Sequence, residues 1–178
     1  MSIADVIPQY LNYPVTAVKQ KILSRQTWLL FSWLMLGWYL FQYAAGVPEF
    51  WLFALQQDMV YKQITGFILF SYLLSQWRIV LRYRKSRVSA GERLKQHMQQ
   101  GSIAPLLLYI HSIEMGVAYQ FFLSSFFLLH CALGLVHRNV ISSGISILRN
   151  VWLVFHIVFA SLVMVLSLYH IYITYLYS

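Results

Sequence analysis

The feature that most constrains this chain is a set of long apolar stretches that hold almost no charged residue. A helix needs about 20 apolar residues to cross the hydrocarbon core of a membrane. Two of the stretches contain no Asp, Glu, Lys or Arg, and the other two contain one each, Arg78 and Glu114. We therefore predict four membrane spans, at about 27–45, 63–81, 108–136 and 151–175.

The composition supports this class of protein. Of the 178 residues, 60% are hydrophobic and only 10% are charged, whereas a soluble domain has about 25% charged residues. A single cysteine excludes an intrachain disulfide. We predict an all-α polytopic membrane protein, a four-transmembrane-helix bundle that forms one domain over residues 1–178 and lies in a bacterial inner membrane.

The distribution of positive charge predicts an orientation. The N-terminal tail and the connection after the second span hold ten Lys and Arg residues, against three on the opposite side. Since positive charge favours the cytoplasm in short loops, both termini are expected there. The net charge of +8 is then a feature of topology, and no nucleic-acid partner is expected. This orientation places His111 and His170 toward the cytoplasmic face, and His130, His137 and His156 toward the outer face.

Two segments between the spans have a distinct character. Residues 47–61 are rich in aromatic residues and predict either an interfacial helix on the outer surface or an aromatic anchor. Residues 82–102 form a basic connection, in which 89–100 could be a short surface helix. His97 lies in that connection among Lys and Gln residues. It is expected to be solvated and is assigned no role.

The other five histidines fall in or beside the last two spans, and an ionisable residue within a bilayer is a functional candidate. His156 and His170 are fourteen residues apart, which on a helix is about 21 Å along the axis and about 40° around it. The two rings thus share one face at two depths. Two haem groups stacked across the membrane, each held between imidazoles of facing helices, would suit this arrangement.

The partner ligands are expected from the third span, which would run antiparallel to the fourth. His111 then faces His170, and His130 faces His156, with His137 as the substitute for His130. The separation of His111 and His130, about 28 Å on one helix, exceeds that of the other pair. Tilt or a bend near Gly116 would have to absorb the difference.

Charged residues near these histidines suggest further roles. Glu114 lies one turn beyond His111 and could exchange protons with a quinone, or instead pair with a basic residue such as Arg78. Haem propionates need cations or donors. Arg78 and Arg82 on the inner side, and Arg138 and Arg149 on the outer side, are the candidates, although topology alone would also place them there.

At His156 and His170, within Trp152–Tyr172, the chain resembles the di-haem b-type membrane cytochromes, such as the membrane subunits of formate dehydrogenases and nickel-iron hydrogenases. The resemblance implies haem ligation by these two histidines and electron transfer between a peripheral redox subunit and the quinone pool. The first two spans contain no histidine to match that family's partner ligands. The histidine pairs predicted here on two helices are similar to those of ferric-reductase-like membrane domains.

We therefore expect a cytochrome b subunit with two b-type haems that moves electrons across the bilayer. The electrons would pass between quinone and a peripheral or periplasmic redox protein. Homo-oligomerisation is an open option. Two alternatives remain at this point. One is a non-redox accessory, immunity or exclusion protein whose histidines form hydrogen bonds between helices. The other is a transition-metal transporter.

Overall fold

The protein is all-helical over the residues that the computed structural model describes, 15–46, 51–81 and 90–176, with side chains defined except at 15–26, 80–81, 90–91 and 138. The prediction of an all-α fold is confirmed. Two helices, α6 and α7, are long and apolar enough to span a membrane. The helices in these ranges are α1 (Val15–Ala45), α2 (Trp51–Gln57), α3 (Met59–Leu81), α4 (Ala90–Gly101), α5 (Ala104–His111), α6 (Tyr119–Ser142) and α7 (Ser146–Leu176).

Helices α4 and α5 follow one another with a break between them, and together they run antiparallel to α3. The hydroxyl of Tyr72 on α3 donates to the carbonyl of Gln100, 2.6 Å away, near the end of α4. About two turns earlier on α3, Thr65 Oγ1 lies 3.1 Å from Nδ1 of His111, at the end of α5. Residues 90–111 therefore return along the length of α3, and they are more than a surface connection.

The break between α4 and α5 is stabilised by side chains from neighbouring helices. Pro105 lies in the first turn of α5 and has no N–H to donate to the preceding turn. The Ser32 hydroxyl of α1 donates to the carbonyl of Ser102 at 2.6 Å, and both side chains are buried. In an apolar environment a freed carbonyl needs such a partner, so α1 and α3 together make the break possible.

The chain reverses between α5 and α6, within residues 112–118. Gly116 has φ = +71° and Ala118 has φ = +52°, a backbone region that glycine enters without steric cost and alanine rarely adopts. The third predicted span, 108–136, is thus divided into two helices that run in opposite directions. His111 and His130 consequently lie on separate helices, which removes the mismatch in their spacing.

The end of α5 is fixed by Gln56 of the short helix α2. The Gln56 amide nitrogen donates to the carbonyls of Tyr109 (2.6 Å) and Ile110 (3.1 Å), and its oxygen accepts from the N–H of Ile113 at 3.0 Å. The Tyr61 hydroxyl donates to the Ile110 carbonyl at 2.9 Å. These bonds satisfy the last carbonyls of α5, which a helix leaves without partners, and they hold His111 in place.

The bundle has two ends with different sets of histidines. His97, His130, His137 and His156 lie toward the end called here the His156 end, and His111 and His170 lie toward the other, the His170 end. Helix α1 runs in the same direction as α4 and α5, since Ser32 is beside Ser102 and Trp38 beside Tyr109. Helix α7 has this direction too, so the start of α1 and the end of α7 lie at opposite ends.

The core lies among α1, α3, α5, α6 and α7, whereas much of the apolar surface of α7 is exposed. Tyr39, Leu108, Phe127 and Val163 are among the buried core residues. Large apolar side chains of α7, such as Val154 at 60% and Val165 at 62%, face outward. Soluble monomers seldom expose continuous apolar patches of this kind, so this surface fits a hydrocarbon environment.

We expect Gln56→Ala to lower the free energy of unfolding by about 2 kcal/mol, because it leaves buried backbone groups of α5 and of Ile113 without hydrogen bonds. Thermal unfolding in detergent, followed by circular dichroism, measures the change. Gln57→Ala is the matched control, since Gln57 is the adjacent exposed residue of the same helix and its loss should change stability by less than about 0.5 kcal/mol. Equal stability of the two variants would contradict the role of Gln56.

Candidate functional site

Four aromatic rings meet around His156. Its ring centroid lies 6.2 Å from that of His97, with the ring planes 86° apart. His130 stacks on His156 at 4.3 Å and 27°, and Trp152 stacks on it at 5.1 Å and 17°. His137 lies next to Trp152, at 5.0 Å. Helices α4, α6 and α7 thus bring a buried cluster of imidazole and indole rings together at this end.

The expectation that His97 is a solvated surface residue is contradicted. Its side chain is partly buried, its Nδ1 atom is fully shielded, and the ring faces His156. The reason is that α4 packs along α3 through Gln100, Tyr72 and Gln76, so that one side of a polar helix faces the bundle.

At the His170 end, His111 and His170 face each other with ring centroids 6.5 Å apart and planes at 77°. The Thr65 hydroxyl donates its hydrogen to the Tyr61 carbonyl at 2.8 Å. Its oxygen also lies 3.1 Å from Nδ1 of His111. With the hydroxyl hydrogen in the bond to Tyr61, Nδ1 of His111 would carry a proton and Nε2 would keep its lone pair, which is the state that binds a metal. Tyr119 contacts His170 on the other side, with its hydroxyl 3.4 Å from Nδ1.

A cavity of about 370 Å³ adjoins this pair, large enough for a ligand of small-molecule size. Helices α3, α5, α6 and α7 and the reversal before α6 supply its walls. Besides apolar side chains, it is lined by His111, His170, Lys62, Gln63, Glu114 and Gln120. The arrangement therefore combines two imidazoles with an apolar wall and a polar rim.

The distances between rings show which histidine pairs have room for one metal ion. Two imidazoles that bind one metal ion from opposite sides, with metal–nitrogen bonds of about 2.0 Å, have ring centroids roughly 6 Å apart. His97 with His156 (6.2 Å) and His111 with His170 (6.5 Å) meet this condition. His130 stacks on His156 at 4.3 Å, which leaves no room for an ion between them. Of the two histidines beside His156, His97 lies at a distance that would admit an ion and His130 lies too close.

The sequence contained a signal for this pairing. His97 and His111 are fourteen residues apart, as are His156 and His170. The segment formed by α4 and α5 runs in the same direction as α7. Equal spacing therefore brings His97 near His156 and His111 near His170.

Buried ring nitrogens at the His156 end add a chemical argument. The Nδ1 atoms of His97, His130 and His156 are shielded from solvent and have no hydrogen-bond partner. Leaving a buried polar group unpaired costs about 1–3 kcal/mol. Among the described residues, no three or more His, Cys, Asp or Glu side chains form a metal-binding group. The facing pairs offer two imidazoles each, as many as a bis-histidine haem iron takes from the protein.

The remaining predicted site residues are distributed differently from expectation. Arg78 and Arg149 are both exposed and both lie toward the His156 end, instead of on opposite sides. Glu114 lies in the reversal after α5, exposed at the rim of the cavity. His137 packs on Trp152 and does not face His156 directly. Arg82 lies outside the described residues, as does the side chain of Arg138.

No protein-family model matches this chain, and neither a curated protein nor a solved structure is significantly similar to it.

We expect Gly66→Ala to be less stable than Gly134→Ala, although each replaces a helical glycine and gains about 0.5–1 kcal/mol of helix propensity. A Cβ at Gly66 would lie 3.1 Å from Cε1 of His111, a ring that Thr65 holds, whereas at Gly134 it would lie 4.0 Å from His156. Thermal unfolding in detergent compares the two. An equal gain in stability in both variants would show that the His111 ring can move away from the new Cβ at little cost.

Proposed function

We propose that this chain is a membrane cytochrome b that binds two haems, one between His97 and His156 and one between His111 and His170. The observation that carries the proposal is the pairing itself. Two sets of facing imidazoles lie at two depths, with centroids 6.2 and 6.5 Å apart. Bound in this way, the haems supply one-electron chemistry and allow electrons to move between the ends of the bundle.

The protein's own contribution is to hold each imidazole in position. The Thr65 hydroxyl fixes the tautomer of His111, and Gly66 leaves space for its ring. At the other pair, stacking by Trp152 and His130 restricts rotation of His156, while Trp152 is anchored by its indole N–H, which donates to the Leu133 carbonyl at 2.8 Å. Such partners of a ligand orient it and tune its basicity.

The proposed pairing also fits the resemblance to ferric-reductase-like membrane domains, which use similarly spaced histidine pairs on two helices. Here the two helical segments are residues 90–111 and α7, and each carries histidines fourteen residues apart. The alternative is an accessory protein with histidines as interhelical hydrogen bonders. It fits His111 and His170, which contact Thr65 and Tyr119, but not His97 and His156, whose Nδ1 atoms have no hydrogen-bond partner.

The same proposal includes a five-pass topology in place of the four predicted spans. The passes are α1, α3, α4 with α5, α6 and α7, and they put the N- and C-termini on opposite faces. Twelve of the thirteen Lys and Arg residues then belong to the His156 end, and only Lys62 to the other. With four spans, the Lys and Arg residues divide ten against three between the two faces. The five-pass topology gives the stronger bias, which supports it. Because positive charge favours the cytoplasm, the His156 end would be cytoplasmic.

With this orientation the His170 end lies at the outer face of the membrane. Glu114, exposed at the rim of the cavity beside His111 and His170, is placed to exchange protons with a quinone bound at that end. The basic His156 end would accept a redox partner of opposite charge. The direction of electron flow follows from which partner is the reductant, and either direction uses the same two pairs.

We expect His97→Ala and His156→Ala to lose one and the same haem, and His111→Ala and His170→Ala to lose the other, because each variant would leave one imidazole in place of two to hold that haem. Haem per polypeptide in the purified protein, together with the reduced-minus-oxidised spectrum, measures this.

His130→Ala and His137→Ala are the matched controls, since both histidines lie in the same ring cluster and neither faces a partner at ligand distance. They should retain both haems. Loss of a haem in His130→Ala but not in His97→Ala would instead support the pairing predicted from the sequence. A colourless wild-type protein would refute the cytochrome and favour the accessory function.

Reporter fusions distinguish the two topologies. With five passes, alkaline phosphatase fused after Ser178 is expected to be active outside the cytoplasm, whereas a fusion between α3 and α4 is expected to be inactive. With four spans both positions would be cytoplasmic, so an inactive C-terminal fusion would contradict five passes.

A further inference from the structure

Lys62 occupies a position that electrostatics disfavours. It is the one Lys or Arg of the thirteen assigned to the His170 end, against the general bias of positive charge. It also lies in the first turn of α3, where the helix dipole disfavours a cation. Two unfavourable terms at one residue suggest that its charge has a partner that compensates them.

The described residues do not supply that partner. Asp58, the nearest acid in the chain, caps α3 by accepting from the Tyr61 N–H at 2.8 Å. Glu114 lines the same cavity as Lys62, yet no ion pair forms between them within the described part of the chain. The Lys62 side chain is half-buried and lines the cavity together with His111. A cation held in this way beside a cavity favours an anionic ligand.

We propose that Lys62 binds a carboxylate of the haem held between His111 and His170. This inference rests on the proposed function, and it replaces the arginines as the propionate-binding residues at this end. Arg78 and Arg149 cannot serve here, because both lie toward the His156 end. Gln63 and Gln120 also line the cavity and supply amide donors for the same group, since charged acceptors form the stronger hydrogen bonds.

The shape of the site supports this ligand over a free anion. The cavity of about 370 Å³ is continuous with the gap between the two imidazoles, and its walls include apolar residues such as Phe67, Leu73 and Phe127. A porphyrin inserted between the rings would meet the apolar walls with its macrocycle and the polar rim with its carboxylates. A small inorganic anion would leave the apolar part of the cavity empty.

The first experiment measures haem release. We expect Lys62→Met to release one of its two haems to excess apomyoglobin about tenfold faster than the wild type, the effect of losing one hydrogen bond to a charged group. Lys62→Arg should restore slow release, because it keeps the charge. The other haem should be released at the wild-type rate in both variants.

The second experiment tests the carboxylate directly. The apoprotein is reconstituted with iron protoporphyrin IX or with its dimethyl ester, in which both carboxylates are blocked. We expect the wild type to lose the ester faster than the free acid at the His170 end, and this difference to be smaller in Lys62→Met, as in a double-mutant cycle. Lys62→Gln replaces Lys62→Met if the latter does not fold.

The outcomes separate the two proposals. Two results would refute the role of Lys62 and leave the cytochrome proposal intact, provided that the wild type binds two haems. One is that Lys62→Met releases both haems at the wild-type rate. The other is that the difference in release rate between ester and free acid is the same in wild type and variant. If the wild type binds no haem, both proposals fail together.

Discussion

The arrangement of the histidines depends on one constraint, that backbone groups freed by a broken helix must find hydrogen bonds away from water. Between α4 and α5 the chain carries a proline and has to satisfy the carbonyls of the preceding turn. Ser32 donates to Ser102 and Tyr72 donates to Gln100, while Gln56 satisfies the far end of α5. Because three different helices hold this broken segment, His97 and His111 lie at fixed depths opposite α7.

Helix α7 could be predicted from the sequence, whereas the packing of the segment formed by α4 and α5 could not. Helix α7 carries no charged residue after Arg149, and the spacing of His156 and His170 on one face could be predicted from helical periodicity alone. Helix α4 carries Glu92, Arg93, Lys95 and Gln96, so a search for uncharged stretches assigns it to a connection. Only its packing on α3 reveals that one side of it faces the bundle, which is why His97 was assigned no role.

The reversal at 112–118 was the second feature that hydropathy could not locate. Residues on both sides of it are apolar, and a single polar residue, Glu114, was compatible with one long span. Gly116 was recognised as a place for a bend, but its positive φ, followed by that of Ala118, produces a full turn. The consequence is that His111 and His130 lie on separate helices, and that α6 runs in the direction opposite to α5. The all-helical class and the pairing of His111 with His170 did not depend on it.

The two ends of the bundle offer different environments to whatever the histidines hold. At the His156 end, Trp152 and His130 stack directly on the ligand candidate and His137 packs behind Trp152, so the site is closed by aromatic rings. At the His170 end the pair opens into a cavity with a polar rim that includes Lys62 and Glu114. Electron transfer through a closed site needs only contact between partners, whereas exchange of protons or of a small substrate needs access. If the proposed function holds, the open His170 end is the one that a diffusing molecule can reach, and the closed His156 end is the one left for electron exchange with a protein.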